Sequence, residues 1–299
     1  MPGKPIPLVY NPAAGRGRGA RRMERLAAEF ERTGIAFEPV ASAAPGDVEA
    51  KVLAACDAGH ERIIMAGGDG SVHEAVNGLM QAPSPAALGV IPTGTGNDFA
   101  KACAIPLHLE AAAALLADRL ISGTPPRAID VGCMNGRYFA NGAGIGFDAK
   151  ISAIARSIRW PLGNLVYLLA VVRGLVSGVT TPRMRIECNG TVIDGELTLA
   201  NISNGPWVGG LFEIAPMALN DDGLLDLVHA DAFTRRRILR LLPKLLDGRH
   251  IGEAGVHHAT VSTVRVRADA PLPAHLDGEV LAPQTEFDIR VLPGALQLL

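Results

Sequence analysis

Apolar positions in the first part of the chain fall into short runs that alternate with stretches of helical period. Pro7-Leu8-Val9-Tyr10 reads as a strand, and Met23, Leu26, Ala27 and Phe30 then recur at the spacing of one helix face. Phe37-Glu38-Pro39-Val40 is a second strand, expected to be short or irregular because of Pro39. Val48, Val52, Leu53 and Cys56 mark a helix over about 47–58, and Arg62-Ile63-Ile64-Met65 a third strand. A further helix carries Val72, Ala75, Val76 and Leu79, and Leu88-Gly89-Val90-Ile91 is a fourth strand. Such alternation predicts a mainly parallel sheet with helices on both faces. The rhythm changes at Thr124-Pro125-Pro126. Beyond it come short period-2 runs: 128–131, 138–140, 183–188, 196–200, 225–228, 260–266 and 287–291. These predict antiparallel sheets. The expected organisation is α/β plus mainly β, with domains over 1–125 and 126–299, the last strand free to return to the first domain.

The loops between the first strands are rich in glycine. Asn11-Pro12-Ala13-Ala14-Gly15-Arg16-Gly17-Arg18-Gly19 follows the first strand, Gly67-Gly68-Asp69-Gly70-Ser71 the third, and Pro92-Thr93-Gly94-Thr95-Gly96-Asn97-Asp98 the fourth. Ligands of parallel sheets bind outside the carboxyl ends of the strands, so these loops converge on one crevice. The N–H groups of a glycine turn leading into a helix make a phosphate site. Asp69 is out of place there unless a cation lies between it and the phosphate, which makes it a Mg²⁺-side group. Ser71 is the expected helix N-cap, and Asn97 or Asp98 caps the helix after the fourth strand. Taken alone, Gly67-Gly68-Asp69-Gly70 fits an ordinary tight βα turn equally well.

Composition narrows the picture. The chain has 299 residues, 48% of them hydrophobic and 4% aromatic, so its cores are aliphatic. A net charge of −2 argues against bulk affinity for nucleic acid. Cys56, Cys103, Cys133 and Cys188 are widely spaced, which fits free thiols in a reduced compartment. The N-terminal segment lacks the pattern of a signal peptide, and no apolar window is long enough to cross a bilayer. The eight histidines, His257-His258 among them, show no metal-ligand spacing and read as structural or solvent-facing.

The three loops, with Glu74, Asn77-Gly78 and Phe99-Ala100, occur in the order and near the spacing of the diacylglycerol kinase catalytic-domain family, and the chain resembles its soluble bacterial lipid kinases. Leu219-Asn220-Asp221-Asp222-Gly223-Leu224 and Leu276-Asp277-Gly278-Glu279 extend the resemblance almost to the C-terminus. Ser71 stands where the family usually has Thr, and keeps the hydroxyl. The resemblance implies an N-terminal three-layer nucleotide-binding α/β domain, a β-sandwich-like domain after it, and an active site in the cleft between them. It implies an ATP- and Mg²⁺-dependent lipid kinase that phosphorylates a hydroxyl of a lipid such as diacylglycerol. The nucleotide set is then Asn11, Ser42, Gly67, Gly68, Asp69, Gly70, Ser71, Gly94, Thr95, Asn97 and Asp98. The catalytic set is Asp69 with Glu279 and Asp277, one of the last two being the general base and Glu279 the favoured one. By the same resemblance, backbone carbonyls of Leu219 and Leu224 and the Asp222 carboxylate hold a Mg²⁺ remote from the phosphates.

A cytoplasmic enzyme with peripheral contact on the inner membrane face fits this reading, and a homodimer is compatible with it. Two segments are candidates for the bilayer contact: the basic helix of Arg235, Arg236, Arg237 and Arg240, and the apolar stretch from Trp160-Pro161-Leu162 to Val172. An NAD kinase-like enzyme is the rival reading, since Gly-Gly-Asp-Gly is shared with that family. Asn97-Asp98-Phe99-Ala100 and the late Asp277-Gly278-Glu279 stand against it. A non-catalytic lipid or nucleotide sensor is the reading of another class. Without the resemblance, Asp277-Gly278 and Asp221-Asp222-Gly223 would read as plain turns.

Overall fold

The computed structural model of the chain describes residues 4–12, 19–158, 163 and 165–299. Residues 13–18 of the first glycine loop and the Trp160-Pro161-Leu162 segment lie outside the described residues. The chain forms two compact units, Met1–Ile129 with Gly294–Leu299, and Asp130–Pro293.

The first unit contains β1 (Ile6–Tyr10), α1 (Gly19–Thr33), β2 (Phe37–Ala41), α2 (Asp47–Asp57), β3 (Arg62–Gly67), α3 (Asp69–Gln81), β4 (Ala87–Pro92), α4 (Asp98–Ala102) and α5 (Leu109–Ser122). The strand order is β4-β3-β1-β2, all parallel, and Leu298 pairs in parallel beside Leu88. Alternate residues of a strand face opposite sides, so each strand feeds two helical layers. Leu8, Ile64, Ala66 and Ile91 pack with Met23, Leu26 and Phe30 of α1 and Ala112, Ala113 and Leu116 of α5. On α2 and α3, Val48, Val52, Val72, Val76 and Leu79 are buried. Pro39 sits on β2 opposite Leu8 without breaking the strand. Among the described residues β2 pairs only with β1, and an edge strand can spare a donor. The connections run from β1 outward to β2, then back past β1 to β3. The strand order therefore reverses between β1 and β3, where an α/β sheet opens its binding crevice.

The second unit is built from long antiparallel strands. It holds β5 (Arg127–Met134), β6 (Arg137–Phe139), β7 (Gly142–Gly146), α6 (Phe147–Ser157), α7 (Leu165–Ser177), β8 (Arg183–Cys188) and β9 (Thr191–Ser203). After these come β10 (Trp207–Val208), β11 (Phe212–Glu213), β12 (Leu225–Asp231), α8 (Arg235–Leu245), β13 (Val256–Val261), β14 (Thr263–Leu276) and β15 (Glu279–Leu298), whose last residues, from Gly294 on, belong to the first unit, as do the first residues of β5, to Ile129. β9 and β14 each serve two neighbours in turn. Their first halves share β8 and their second halves share β7, which bends them around one core in a sandwich-like arrangement. That core contains Phe139, Ile145, Met184, Ile186, Leu227, Val266, Leu276 and Phe287. Burying one such side chain fully contributes roughly 1.5–3 kcal/mol. A second cluster joins Phe147 and Ile151 of α6 to Ala170, Val171 and Leu175 of α7, with Ile238, Leu242 and Leu245 of α8 packed on it.

Two differences from the sequence reading are physical. The 260–266 run is two strands, because the chain breaks at Ser262 between β13 and β14. The central strand β7, Gly-Ala-Gly-Ile-Gly, has no alternation to read. A Cβ on Gly144 would lie 2.2 Å from Asp148 Oδ2 and 2.4 Å from His275 Nε2, so glycine is required where that pair crosses the strand.

Candidate active site

At the carboxyl end of β3 the chain turns into α3 in the shortest way available. Gly68, with extended backbone, is the N-cap, and the helix starts at Asp69. The expectation of Ser71 as N-cap is thereby corrected. Ser71 is folded back under the turn, its N–H 2.9 Å from Gly68 O, and a Cβ on Gly67 would lie 2.4 Å from Ser71 Cβ. The N–H groups of Asp69 and Gly70 thus open just past the strand end, the usual anion seat of a helix, while those of Ser71 and Val72 are spent on Gly68 O. The loop after β4 runs against this turn. Thr93 N–H donates to Gly67 O (2.8 Å), and Gly94 N–H to Asn97 Oδ1 (3.0 Å). A Cβ on Gly94 would stand 2.5 Å from Gly68 Cα, and one on Gly68 2.9 Å from Gly94 Cα. The two backbones touch, so both positions need glycine.

Asn97 adopts a left-handed conformation (φ 53°) and is the N-cap residue of α4, but its side chain makes no capping bond there and serves Gly94 instead. Asp98 is buried and pairs with Lys101 at 2.7 Å. Arg22 of α1 donates to Thr93 O, a contact the sequence did not announce. Arg22 and Arg25 line a cavity of about 210 Å³ with Thr93, Gly94, Asn97 and His108.

Asp69 is held between these loops. Its Oδ1 accepts from Phe99 N–H (3.3 Å), so it ties the α3 turn to the loop after β4. Burial, and then the charge of Asp98, push its carboxyl up to about 7, although the N–H groups of Phe99, Asp98 and Asn97 pull the other way. The residue is partly buried.

The other nucleotide candidates of this unit also sit at strand ends. Asn11 follows β1, and Ser42 follows β2 with its N–H on Tyr10 O (2.8 Å). Thr95 is exposed at its loop tip. Glu74 and Gly78 have packing roles. Glu74 accepts from the N–H groups of Gly46 (2.9 Å) and Val48 (3.1 Å) at the start of α2. A Cβ on Gly78 would lie 2.5 Å from Glu49 O of α2, so glycine lets these helices close up.

The remaining candidates belong to the second unit. Asp277 (φ 51°) and Gly278 (φ 84°) form the tight turn between β14 and β15, the conformation that an Asp-Gly hairpin favours. The Asp277 carboxylate accepts from the N–H groups of Ala140 (3.0 Å), Asn141 (2.8 Å) and Gly142 (2.9 Å), and both of its oxygens are engaged. Asp277 thus anchors the 140–142 segment. Glu279 pairs with Arg156 at a partly exposed position. Behind the turn, Gly278 N–H donates to His275 Nδ1 (3.2 Å), and His275 Nε2 lies 3.2 Å from Asp148 Oδ2. That second contact is close enough for charge attraction but misaligned as a hydrogen bond. Burial alone would raise the Asp148 carboxyl, but His275 and the Asn201 amide bring it below its usual range. His275, Asp148 and Asn201 escaped the sequence reading. The one available signal was the closeness in sequence of His275 to Asp277, at the end of β14.

Leu219, Asp222 and Leu224 lie on the turn before β12, which Asp130 ties down through Gly223 N–H (2.6 Å) and Asn220 O (2.7 Å). Asp222 Oδ1 accepts from Leu224 N–H (3.0 Å), and its other oxygen has no protein partner among the described residues.

The model of the diacylglycerol kinase catalytic domain matches residues 5–133, and that of the YegS C-terminal NAD kinase beta sandwich-like domain matches residues 141–299. The chain belongs to the diacylglycerol kinase catalytic-domain family. It is 32% identical over 275 residues to a diacylglycerol kinase of Bacillus subtilis (strain 168), covering 91% of this chain and 88% of that one. It is also 32% identical over 300 residues to a diacylglycerol kinase of Mycobacterium tuberculosis H37Rv, covering 98% and 94%. The fold is that of a diacylglycerol kinase crystal structure from Bacillus anthracis, with a TM-score of 0.80 at 23% identity over 100% of this chain and 97% of that chain.

Proposed function

We propose that this family member is an ATP-dependent lipid kinase that transfers the γ-phosphoryl group to a lipid hydroxyl, with diacylglycerol as the expected acceptor. The observation that carries the reading is the backbone contact of Gly68 and Gly94 at the open N-terminus of α3, in a chain whose relatives are named diacylglycerol kinases. A surface of N–H groups without side chains suits a polyphosphate, and phosphoryl transfer is mostly positioning and charge stabilisation. In this reading the first-turn N–H groups of α3 and the 93–97 loop hold the phosphates, with Asn11, Ser42, Thr95 and Asn97 around the nucleotide. Asp69 keeps the two loops together and presents a carboxylate to the cation side. Asp69 and, separately, Asp222 with the carbonyls of Leu219 and Leu224 are the groups suited to Mg²⁺. Bound Mg²⁺ would neutralise charge that develops on the transferred phosphoryl group.

Glu279 is the favoured proton acceptor for the lipid hydroxyl. Its support is by contrast: Asp277 is committed on both oxygens to backbone N–H groups, whereas among the described residues Glu279 is bound only by a partly exposed arginine pair that an approaching substrate can displace.

A lipid acceptor calls for contact with a bilayer. No helix among the described residues is long and apolar enough to cross a membrane. Leu165, Val172 and Val176 are exposed along one face of α7, Val176 at 74%. This supports α7 over the arginine-rich α8 as the contact. α8 packs Ile238, Leu242 and Leu245 on the core, and its Arg237 lies over the Phe233 ring and pairs with Glu253.

The test is a panel of acceptors, with diacylglycerol, phosphatidylglycerol and a sphingoid base in vesicles and NAD in solution, incubated with the purified chain and MgATP and read by mass spectrometry. A phosphorylated lipid with NAD unchanged is expected. Phosphorylated NAD with every lipid ignored would reverse the assignment, and ATP binding without acceptor-dependent turnover would leave a sensor.

A further inference from the structure

β12 and β13 pair so that His229 stands directly opposite His257. Asp231, two residues along β12, shares their face of the sheet. The liganding atoms of these three side chains all lie within 4.8 Å of one another. His257 Nε2 is 3.1 Å from Asp231 Oδ1, and the two imidazoles are stacked, 4.6 Å between centroids and 20° from parallel. His229 is buried, and its Nδ1 has no hydrogen-bond partner among the described residues. The next histidine shows what a closed pair looks like. His258, on the opposite face, sits 2.5 Å from Asp226 Oδ1.

We propose that His229, Asp231 and His257 bind a transition-metal ion of the zinc class, which staples together the two ends of the 232–256 segment. Two imidazoles and one carboxylate are borderline ligands that suit Zn²⁺, and a hard ion such as Mg²⁺ would not select them. Ligand atoms around Zn²⁺ stand about 3.3 Å apart. The His257–Asp231 pair is already near that separation at 3.1 Å, and the His229 ring has to close in by up to about 1.5 Å. His257 and Asp231 are exposed, which leaves the fourth position to water. The Asp231 backbone is fixed beforehand. Its N–H donates to Gly255 O (2.9 Å), and its carbonyl accepts from Thr198 Oγ1 (2.7 Å) at a register shift between β12 and β9. Asp231 and His257 bracket the excursion that carries α8, so an ion there would close it at its base. The triad is assembled across strands, which is why residue spacing along the chain does not reveal it.

The test is calorimetric titration of the tag-free, chelator-stripped full chain with ZnCl₂ in excess MgCl₂, with CoCl₂ as a spectroscopic probe. One equivalent is expected to bind, with cobalt bands of a nitrogen and oxygen ligand set and no thiolate charge transfer. Zinc should also slow amide hydrogen exchange in the 232–256 segment. His257→Ala and Asp231→Asn, both at exposed positions that spare the core, should each weaken binding about tenfold or more, whereas His258→Ala should leave it unchanged. No binding, binding indifferent to His257→Ala and Asp231→Asn, or a thiolate signature would each overturn the site.

Discussion

The β3–α3 turn and the β14–β15 turn each place an aspartate before a glycine, and the two carboxylates meet different surroundings. Asp69 lies among buried groups beside a second carboxylate, Asp98, and its acceptor bond from Phe99 N–H is long, at 3.3 Å. Asp277 accepts three backbone N–H groups at 2.8–3.0 Å, all from the 140–142 segment. The same dipeptide therefore serves opposite ends. Where donors converge on both oxygens, the carboxylate is a structural anchor. Where burial and like charge outweigh the donors, it is held ready for a cation.

The comparison can be broken at its glycines with the largest effect. Gly94→Ala drives a methyl group into Gly68 Cα, a backbone atom with little room to move. Strain of this kind costs about 1–3 kcal/mol, and ATP affinity should fall on the order of 10–100-fold. Titration with ATP checks this, and unchanged affinity would remove the Gly68–Gly94 contact from the phosphate cradle.

Asp277→Ala comes next. Ala140, Asn141 and Gly142 are buried, so their N–H groups lose an acceptor that water replaces poorly. At about 1 kcal/mol or more for each orphaned donor, the loss is roughly 3 kcal/mol. The thermal midpoint should drop by about 6–12 °C, the scale for a domain of this size. A loss below a couple of degrees would end the anchor reading.

Asp69→Asn sharpens the other side through pH. The folded carboxyl titrates near 7 and the unfolded one near 3.8. The native state thus holds a proton that the unfolded chain has released, and stability falls as pH rises from about 4 to 7, then levels off. The amide cannot ionise, so Asp69→Asn should match the parent near pH 4 and melt above it at pH 8, the gap opening as pH rises from about 4 to 7. Equal melting differences at both pH values would contradict the raised carboxyl. Arg156→Ala gives the smallest effect. It breaks a partly exposed ion pair, worth less than about 1 kcal/mol, and differential scanning calorimetry should find the midpoint within about 2 °C.

The parallel strands were legible because each is a short apolar run between helical stretches, and the three strand-end loops were legible because glycine and polar residues punctuate them. What stayed hidden depends on neighbours distant in sequence. β7 has no pattern because a buried Asp148–His275 pair passes over Gly144. Asp277 and Glu279 looked alike as a carboxylate pair, and only the approach of the 140–142 segment separates them. Ser71 carried the signature of an N-cap, yet the turn is too tight for it and Gly68 takes the place. Nothing along the chain indicated that Arg22 reaches the carbonyl of Thr93.

The central claim is that the two carboxylates of the late hairpin divide their work, Asp277 holding backbone and Glu279 receiving the acceptor proton. The most direct test is to measure kcat with a lipid acceptor, ATP Kd and thermal midpoint together for Glu279→Gln, with Asp277→Asn alongside. Glu279→Gln should lose ~10²-fold or more in kcat, the usual scale for a missing general base, with ATP Kd and midpoint close to those of the parent. Asp277→Asn should instead lose stability first. A Glu279→Gln enzyme that keeps its turnover per folded molecule would contradict the assignment and return the search for the base to Asp277, Asp69 and Asp98.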